Sequence, residues 1–385
     1  MKKNILVVTV GRLDWNIWKP ILEIIKKNQL INFKILATGM HFEKKYGSTY
    51  KEIIKNGYKI SYKIKQKYVS SEPYFLSYQT SNYLEKISKI VNKHKFDYLM
   101  LVGDRFESLA AALACIPSKI PIFHFHGGEL SEGSIDETHR HLITKSSHIH
   151  FCTTDIYKKR IIQLGEEKWR IFTTGSPAVH KIETEKKFYN KKTFYKKFNL
   201  DLEKNFFILN FNIETMNYKK NSKQIRSILQ TLCKRKENVL ITKTNFDTGS
   251  DIVNKIILSY VKKYKNLQLS PYLGDYYFSA MKYASLMIGN SSSGIIEAAS
   301  FGLPVINIGD RQKGRLKSKN TIDCNFEKKN INKSIKLALS LKFKNKIKRV
   351  VNVYFNKNFQ RLNFYLNKIF RINSDKLIIK KFYDI

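Results

Sequence analysis

The chain has 385 residues, 43% of them hydrophobic, enough for two globular domains with substantial cores. Its apolar runs fall well short of the roughly 18 residues that cross a bilayer, and the start MKKNILVVTVGR carries no signal-peptide cleavage site. Four scattered cysteines (Cys115, Cys152, Cys233, Cys324) without a CxxC pair exclude a disulfide framework and suggest reduced thiols in a cytoplasmic protein with no membrane partner.

Residues 4–10 predict an apolar strand, followed by a polar turn, a helix over about 18–27 and a strand over 33–37. Further strands are expected over 98–102, 120–125, 148–153 and 170–174, with helical stretches between several of them. Lysine-rich 181–204 reads as a linker. The alternation then restarts with strands over 206–211, 239–243, 267–269, 286–288 and 304–308. Repeated βα units with continuous apolar strands imply parallel sheets covered on both faces. The expected fold is therefore α/β, with two Rossmann-like domains facing a central cleft. The expected division is 1–180, the linker 181–204, a nucleotide-binding domain 205–370, and a tail 371–385 packing back on the first domain.

The net charge of +39 is dominated by lysine, spread over 181–204, 219–236, 313–348 and 376–381. No zinc finger, helix-turn-helix or RNA-binding signature accompanies it, so we expect solvated lysine faces and no specific nucleic-acid partner. Such a surface still attracts anionic substrates at low salt.

Chemistry-bearing residues collect where apolar strands stop. YLMLV ends in GDRFE, and PIFHF ends in HGGELSEGSIDETHRH. Loops at the carboxyl ends of parallel strands line ligand sites, which brings Asp104, Arg105, Glu107, His124, His126, Glu129, Asp136, Arg140 and His141 toward one another. The pairs His124/His126, His139/His141 and His148/His150 share strand or helix faces, but no further ligand pattern accompanies them and a metal is not expected. His139 and His141 bracket Arg140 at a helix start, which suits substrate contacts.

In the second half, LMIGNSSSGIIEAASFGLPVIN places a small-residue loop after a strand, with a helix expected from near Ile295. Small residues let the backbone approach a phosphate, and free amides at a helix start favour its charge. Ser291, Ser292 and Ser293 add hydroxyl donors, and Glu297, expected in the first turn, could accept from ribose hydroxyls. No GxGxxG follows the first strand, which disfavours a dinucleotide cofactor.

TVGRLDW, LVGDRFESLAAAL, HFHGGELSEGSIDETHRHLITKSSHIHF, GSP at 175–177, TKTNFDTGS and GNSSSGIIEAASFGLPVINIGDRQKGR together resemble the hydrolysing UDP-N-acetylglucosamine 2-epimerases, in order and spacing, from about residue 4 to 325. The family includes a branch that makes N-acetylmannosamine for sialic acid and one that acts on nucleotide-linked N,N'-diacetylbacillosamine for legionaminic acid. The resemblance implies a glycosyltransferase-B-like fold, no metal or redox cofactor, and a homo-oligomer. It also implies elimination of the nucleoside diphosphate across C1 and C2, followed by addition of water.

By matching motifs, Asp104 and Asp136 fall on family positions proposed as catalytic acids and bases. A third position, often Glu in the family, falls on His126, with Glu129 three residues on; which of the two carries the proton stays open. The family's His-Pro-Xaa-Thr turn is replaced by Phe211-Asn212-Ile213-Glu214-Thr215, so Asn212 stands where a cleft histidine is usual. The resemblance further directs Arg12 and Arg105 toward the diphosphate, with Asp14 beside them in TVGRLDW. Ser291, Ser292 and Glu297 fall toward the nucleotide, Arg311 at the cleft rim, and Asn245 and Asp247 along the cleft. A glycosyltransferase of the same architecture would not need paired Asp104 and Asp136, whereas a catalytically impaired nucleotide-sugar binder would account for Asn212.

Overall fold

The computed structural model describes residues 2–44, 47–66, 70, 72–185 and 187–384. The chain divides into two compact units: residues 1–129, 136–181 and 354–385 form the first, and 130–135 with 182–353 the second.

Among the described residues the first unit holds seven strands: β1 (Lys3–Thr9), β2 (Ile31–Ala37), β3 (Ile60–Lys63), β4 (Tyr98–Val102), β5 (Ile122–Phe125), β6 (Ile149–Cys152) and β7 (Ile171–Thr173). They lie in the order β3-β2-β1-β4-β5-β6-β7, every pair parallel. β4 and β5 are buried on both faces, as a helix-covered parallel sheet requires. The helix Arg12–Ile25 buries Trp15, Trp18, Leu22 and Ile25, one stripe at helical spacing, and Trp18 settles its indole N–H on Val8 O at 2.9 Å.

The second unit has six strands among the described residues: β8 (Phe206–Asn210), β9 (Asn238–Thr242), β10 (Leu267–Ser270), β11 (Leu286–Gly289), β12 (Val305–Ile308) and β13 (Thr321–Cys324). Their order is β10-β9-β8-β11-β12-β13, again all parallel. Each sheet reverses its strand order once, at β1/β4 and at β8/β11. Beyond the carboxyl ends of the strands flanking a reversal, the two adjoining loops diverge and leave a crevice. Those ends are Thr9 with Val102, and Asn210 with Gly289.

Three expected boundaries are corrected. Residues 181–204 are not a free linker, because the helix Lys191–Lys197 buries Phe194 and Tyr195 against Phe206, Ile208 and Leu240 of the second unit. The chain rejoins the first unit at Tyr354 rather than 371, since Phe359, Leu362, Leu366 and Ile369 complete its core. Residues 130–135, placed by sequence in the first domain, belong to the second unit. The edge strands β3 and β13 were not expected, and the helix Arg12–Ile25 starts six residues before its expected start.

Candidate active site

In the first unit the site is built on the loops after β1, β4 and β5. Gly103 turns the chain after β4, and His124 fixes that turn: its Nε2 donates to Gly103 O at 2.7 Å while its Nδ1 accepts from Thr144 Oγ1 at 3.2 Å. Full burial drives this imidazole down to about 3, so it is a neutral brace. Beyond the turn, Asp104 is ion-paired with Arg140, itself only 1% exposed. Arg140 Nη1 also donates to Glu129 O at 2.8 Å and to Glu137 Oε2 at 2.6 Å. The guanidinium therefore ties Asp104 and Glu129, from two loops, to Glu137 in the first turn of the helix Asp136–Ser146.

After β5 the chain takes a left-handed conformation at His126 (φ 66°), unusual for a residue with a side chain. The turn folds His126 back so that Nδ1 meets Glu129 Oε1 at 2.8 Å, and the same oxygen accepts from Thr153 Oγ1 at 3.0 Å. A carboxylate on Nδ1 fixes the proton there and leaves the Nε2 lone pair for chemistry. Nε2 is buried and makes no hydrogen bond among the described residues. Asp136, 8% exposed, opens the helix Asp136–Ser146, with His139 Nδ1 3.9 Å away. His141, 42% exposed in its side chain, lies on Glu137 at 3.3 Å.

Asp14 lies in the first turn of the helix that follows β1. Its carboxylate accepts Val10 N–H at 2.7 Å and Gly11 N–H at 2.8 Å, which starts the helix early and shapes the loop after β1. Burial pushes this carboxyl up to about 7 against those two donors. Asp14 is thus a loop brace. Arg12 is the first residue of that helix, and Arg105 caps the helix Phe106–Cys115 with Nε 3.4 Å from the fully buried Glu107. The histidine pairs are occupied otherwise: His148 accepts Ile122 N–H and His150 meets Glu166. Among the described residues no group of three or more His, Cys, Asp or Glu side chains could hold a metal ion.

In the second unit the loops after β8, β9, β11 and β12 converge. Gly289 must be glycine, because a Cβ there would meet Asn210 O at 2.1 Å. The next residue, Asn290, accepts Asn212 N–H at 2.7 Å and donates to Asn212 O at 2.9 Å. Asn212 in turn accepts Asn245 N–H through Oδ1 at 3.1 Å. Its amide oxygen thus joins two loops. Ser291 caps a single helical turn, Ser292–Ile296, that begins before Ile295. Glu297 ends that turn and does not lie in its first residues as expected. Ser293 Oγ meets Ser291 Oγ at 2.9 Å and the Tyr277 hydroxyl. Arg311 Nη1 and Gln312 Nε2 both donate to Asn290 O, at 3.3 and 3.0 Å. Asp247 is buried in the loop after β9.

Thr153, Tyr277, Asn290 and Gln312 were missed as site-building residues. Asn290 was visible inside GNSSSG; the others carry no local signal, since only tertiary packing brings them to their partners.

A family profile for UDP-N-acetylglucosamine 2-epimerase matches residues 23–361. The chain is 39% identical over 325 residues, 84% of each chain, to a GDP/UDP-N,N'-diacetylbacillosamine 2-epimerase (hydrolyzing) of Campylobacter jejuni. It is 32% identical over its whole length, and 98% of the relative, to polysialic acid biosynthesis protein P7 of Escherichia coli. The UDP-GlcNAc 2-epimerase of Neisseria meningitidis, solved bound to UDP-GlcNAc, shares the fold with a TM-score of 0.80 at 20% identity, over 96% of this chain and 100% of that one.

Proposed function

The chain belongs to the UDP-N-acetylglucosamine 2-epimerase family, and from that premise we propose that it is a hydrolysing 2-epimerase of a nucleotide-activated N-acetylated sugar. The substrates of this class are UDP-N-acetylglucosamine and the UDP- or GDP-linked N,N'-diacetylbacillosamine, the latter named for the relative at 39% identity. The free manno sugar released is a precursor for nonulosonic acids, and the reaction is assigned to the cytoplasm.

The reaction proceeds in two steps. A base removes the C2 proton, the C2–H electrons form the C1=C2 bond, and the C1–O bond breaks with its electrons leaving on the nucleoside diphosphate. Water then adds its oxygen to C1, and a proton returns to C2 from the opposite face. No carbonyl acidifies C2–H, so the rate depends on placed proton carriers and a stabilised leaving group. Inversion needs two carriers, one for each face.

The observation that carries this reading is the cluster at the ends of β4 and β5. Asp104, ion-paired with Arg140, is presented as a carboxylate and serves as one carrier. His126 serves as the other through Nε2, with Glu129 holding Nδ1. Asp136 orients the water. Arg12 and Arg105 meet the diphosphate, and Ser291, Ser292, Glu297, Asn245, Asp247 and Arg311 serve the nucleotide.

Incubation with each nucleotide sugar in deuterated water, followed by proton NMR, tests this. Free manno sugar carrying deuterium at C2, with free nucleoside diphosphate, is expected. Protium retained at C2 rejects elimination, and sugar transferred to an acceptor identifies a glycosyltransferase instead.

A further inference from the structure

In the second unit the loops after β8, β11 and β12 are joined in a closed ring of hydrogen bonds, and Glu214 supplies its last side. Asn212, after β8, is bonded twice to Asn290, after β11, and Asn290 O accepts from Arg311 and Gln312, after β12. The remaining side runs from the β12 loop straight back to the β8 loop: Glu214 Oε1 accepts Asp310 N–H at 3.0 Å. All of these residues belong to the second unit.

Glu214 is itself held from behind. Its N–H donates to Asn221 Oδ1 at 3.0 Å, Asn221 Nδ2 donates to its carbonyl at 3.2 Å, and Gln224 Nε2 donates to its Oε2 at 3.0 Å. Asn221 and Gln224 stand on the helix Asn221–Leu232, which buries Ile225, Ile228, Leu229 and Leu232 in the core of the unit. The helix is therefore a firm base. Glu214 is buried, and its two donors, a peptide N–H and a side-chain amide, are both uncharged. Taking a carboxylate out of water onto neutral donors is costly, and what it secures is the main chain directly before Arg311. Room for it comes from Gly309, where the backbone is left-handed (φ 83°) and a Cβ would stand 2.2 Å from Glu214 Oε1.

We propose that Glu214 is a positioning residue for nucleotide binding, fixing the 309–312 turn to the helix Asn221–Leu232 so that the Arg311 guanidinium stays on Asn290, directly before the serine loop. This rests on the reading of Ser291, Ser292 and Arg311 as residues that serve the nucleotide. Glu214 acts through Arg311 and does not need to touch the ligand. A loop already ordered in its binding form loses less entropy when ligand arrives, so the anchor is read in affinity.

The experiment compares Glu214→Met, which keeps length and removes the acceptor, with Glu214→Gln, which retains an acceptor oxygen for Asp310. Affinity for UDP and for GDP by calorimetry, the melting temperature and exchange of the Asp310 amide by NMR are measured for each. Glu214→Met should weaken the tighter-bound nucleotide by about tenfold or more, and Glu214→Gln should stay within about threefold of the parent. Asp310 should exchange about tenfold or more faster in Glu214→Met than in Glu214→Gln. Because the anchor acts through Arg311, the double variant Glu214→Met, Arg311→Met should bind within about twofold of Arg311→Met alone.

A lower melting temperature with unchanged nucleotide affinity would overturn the proposal, as would losses that simply add in the double variant. If Glu214→Met does not fold, Glu214→Asp decides: it keeps the charge but falls a methylene short of Asp310, and parent-like affinity in it rejects the anchor. If the parent binds neither UDP nor GDP, the nucleotide reading fails and takes this proposal with it. Equal Asp310 exchange in Glu214→Met and Glu214→Gln, by contrast, rejects the anchor while leaving the nucleotide reading intact.

Discussion

His126 and Glu129 stand three residues apart in the chain and are joined by a 2.8 Å contact between Nδ1 and Oε1, made possible by the left-handed backbone at His126. In the proposed reaction His126 carries a proton and Glu129 orients it. His126→Asn should lower turnover by roughly a hundredfold or more, the usual scale for losing general acid–base catalysis. Glu129→Gln should cost less and alter the pH profile. A larger loss in Glu129→Gln than in His126→Asn would show that the carboxylate carries the proton.

Asp104→Asn and Asp136→Asn should each reduce kcat by about two orders of magnitude with UDP affinity nearly unchanged. Ser292→Ala and Glu297→Ala should weaken UDP binding and spare kcat at saturation. Calorimetry beside steady-state kinetics separates the two classes, and the reverse pattern would mean that the roles of the two units are exchanged.

Asn212 stands where the family usually has a histidine. Its Oδ1 is committed to Asn245 N–H at 3.1 Å, so Asn212→His removes a bond between loops. Turnover should change by less than about tenfold, under ~1.4 kcal/mol of barrier, and the melting temperature should fall. A hundredfold gain in rate with a new titration near neutrality would assign this position a proton.

Acid should destabilise the protein between pH 6.5 and 3. Burial holds His41, His124 and His148 at about 3 in the folded state, well below the ordinary 6.5. The unfolded chain therefore binds protons that the folded one refuses, and stability present above pH 6.5 is lost as pH falls through this window. Asp14 acts oppositely. Its carboxyl is raised to about 7, so its contribution is full below pH 4 and is lost as pH rises toward 7. Each group changes stability by at most ~1.4 kcal/mol per pH unit, and three histidines outweigh one aspartate. Urea midpoints from pH 7 to 4.5 should fall, with a shallower slope in His41→Gln; a midpoint independent of pH would refute the account.

The tail should matter to the first unit beyond its apolar contacts. Lys380 Nζ bonds Lys145 O and Ser147 O, both at 2.6 Å, and lies 2.7 Å from the buried Glu166. Arg170 donates to the carbonyls of Lys376, Leu377 and Ile379. Lys380→Met leaves Glu166 with one cation fewer and should cost on the order of 3 kcal/mol, as breaking a buried pair does. Thermal melts of Lys380→Met against the parent check this, and an unchanged melting temperature would show that Lys145 and His150 suffice.

Much of the architecture was legible because continuous apolar strands such as YLMLV and FFILN can exist only inside a parallel sheet covered on both faces. The edge strands ISYK and TIDC escaped notice because each pairs on one side and buries little. The candidate site was legible as composition: acids, imidazoles and small residues stand at strand ends. Their partners were not, since the hydrogen bonds of Arg140, Asp14, His124 and Asn212 to other parts of the protein come from packing between positions distant in sequence or from backbone turns.

By itself the sequence determined the two βα series and, through its motifs, the family. Only tertiary structure decided that His126, Glu129 and Thr153 meet, because that depends on a left-handed turn and on a residue from a neighbouring strand end. It alone assigned residues 130–135 to the second unit and residues 354–370 to the first. Local propensity and periodicity reach a few residues along the chain, whereas these assignments rest on bonds such as Thr215 to Ile135 and on burial of Leu362 in the first unit's core, between positions far apart in sequence.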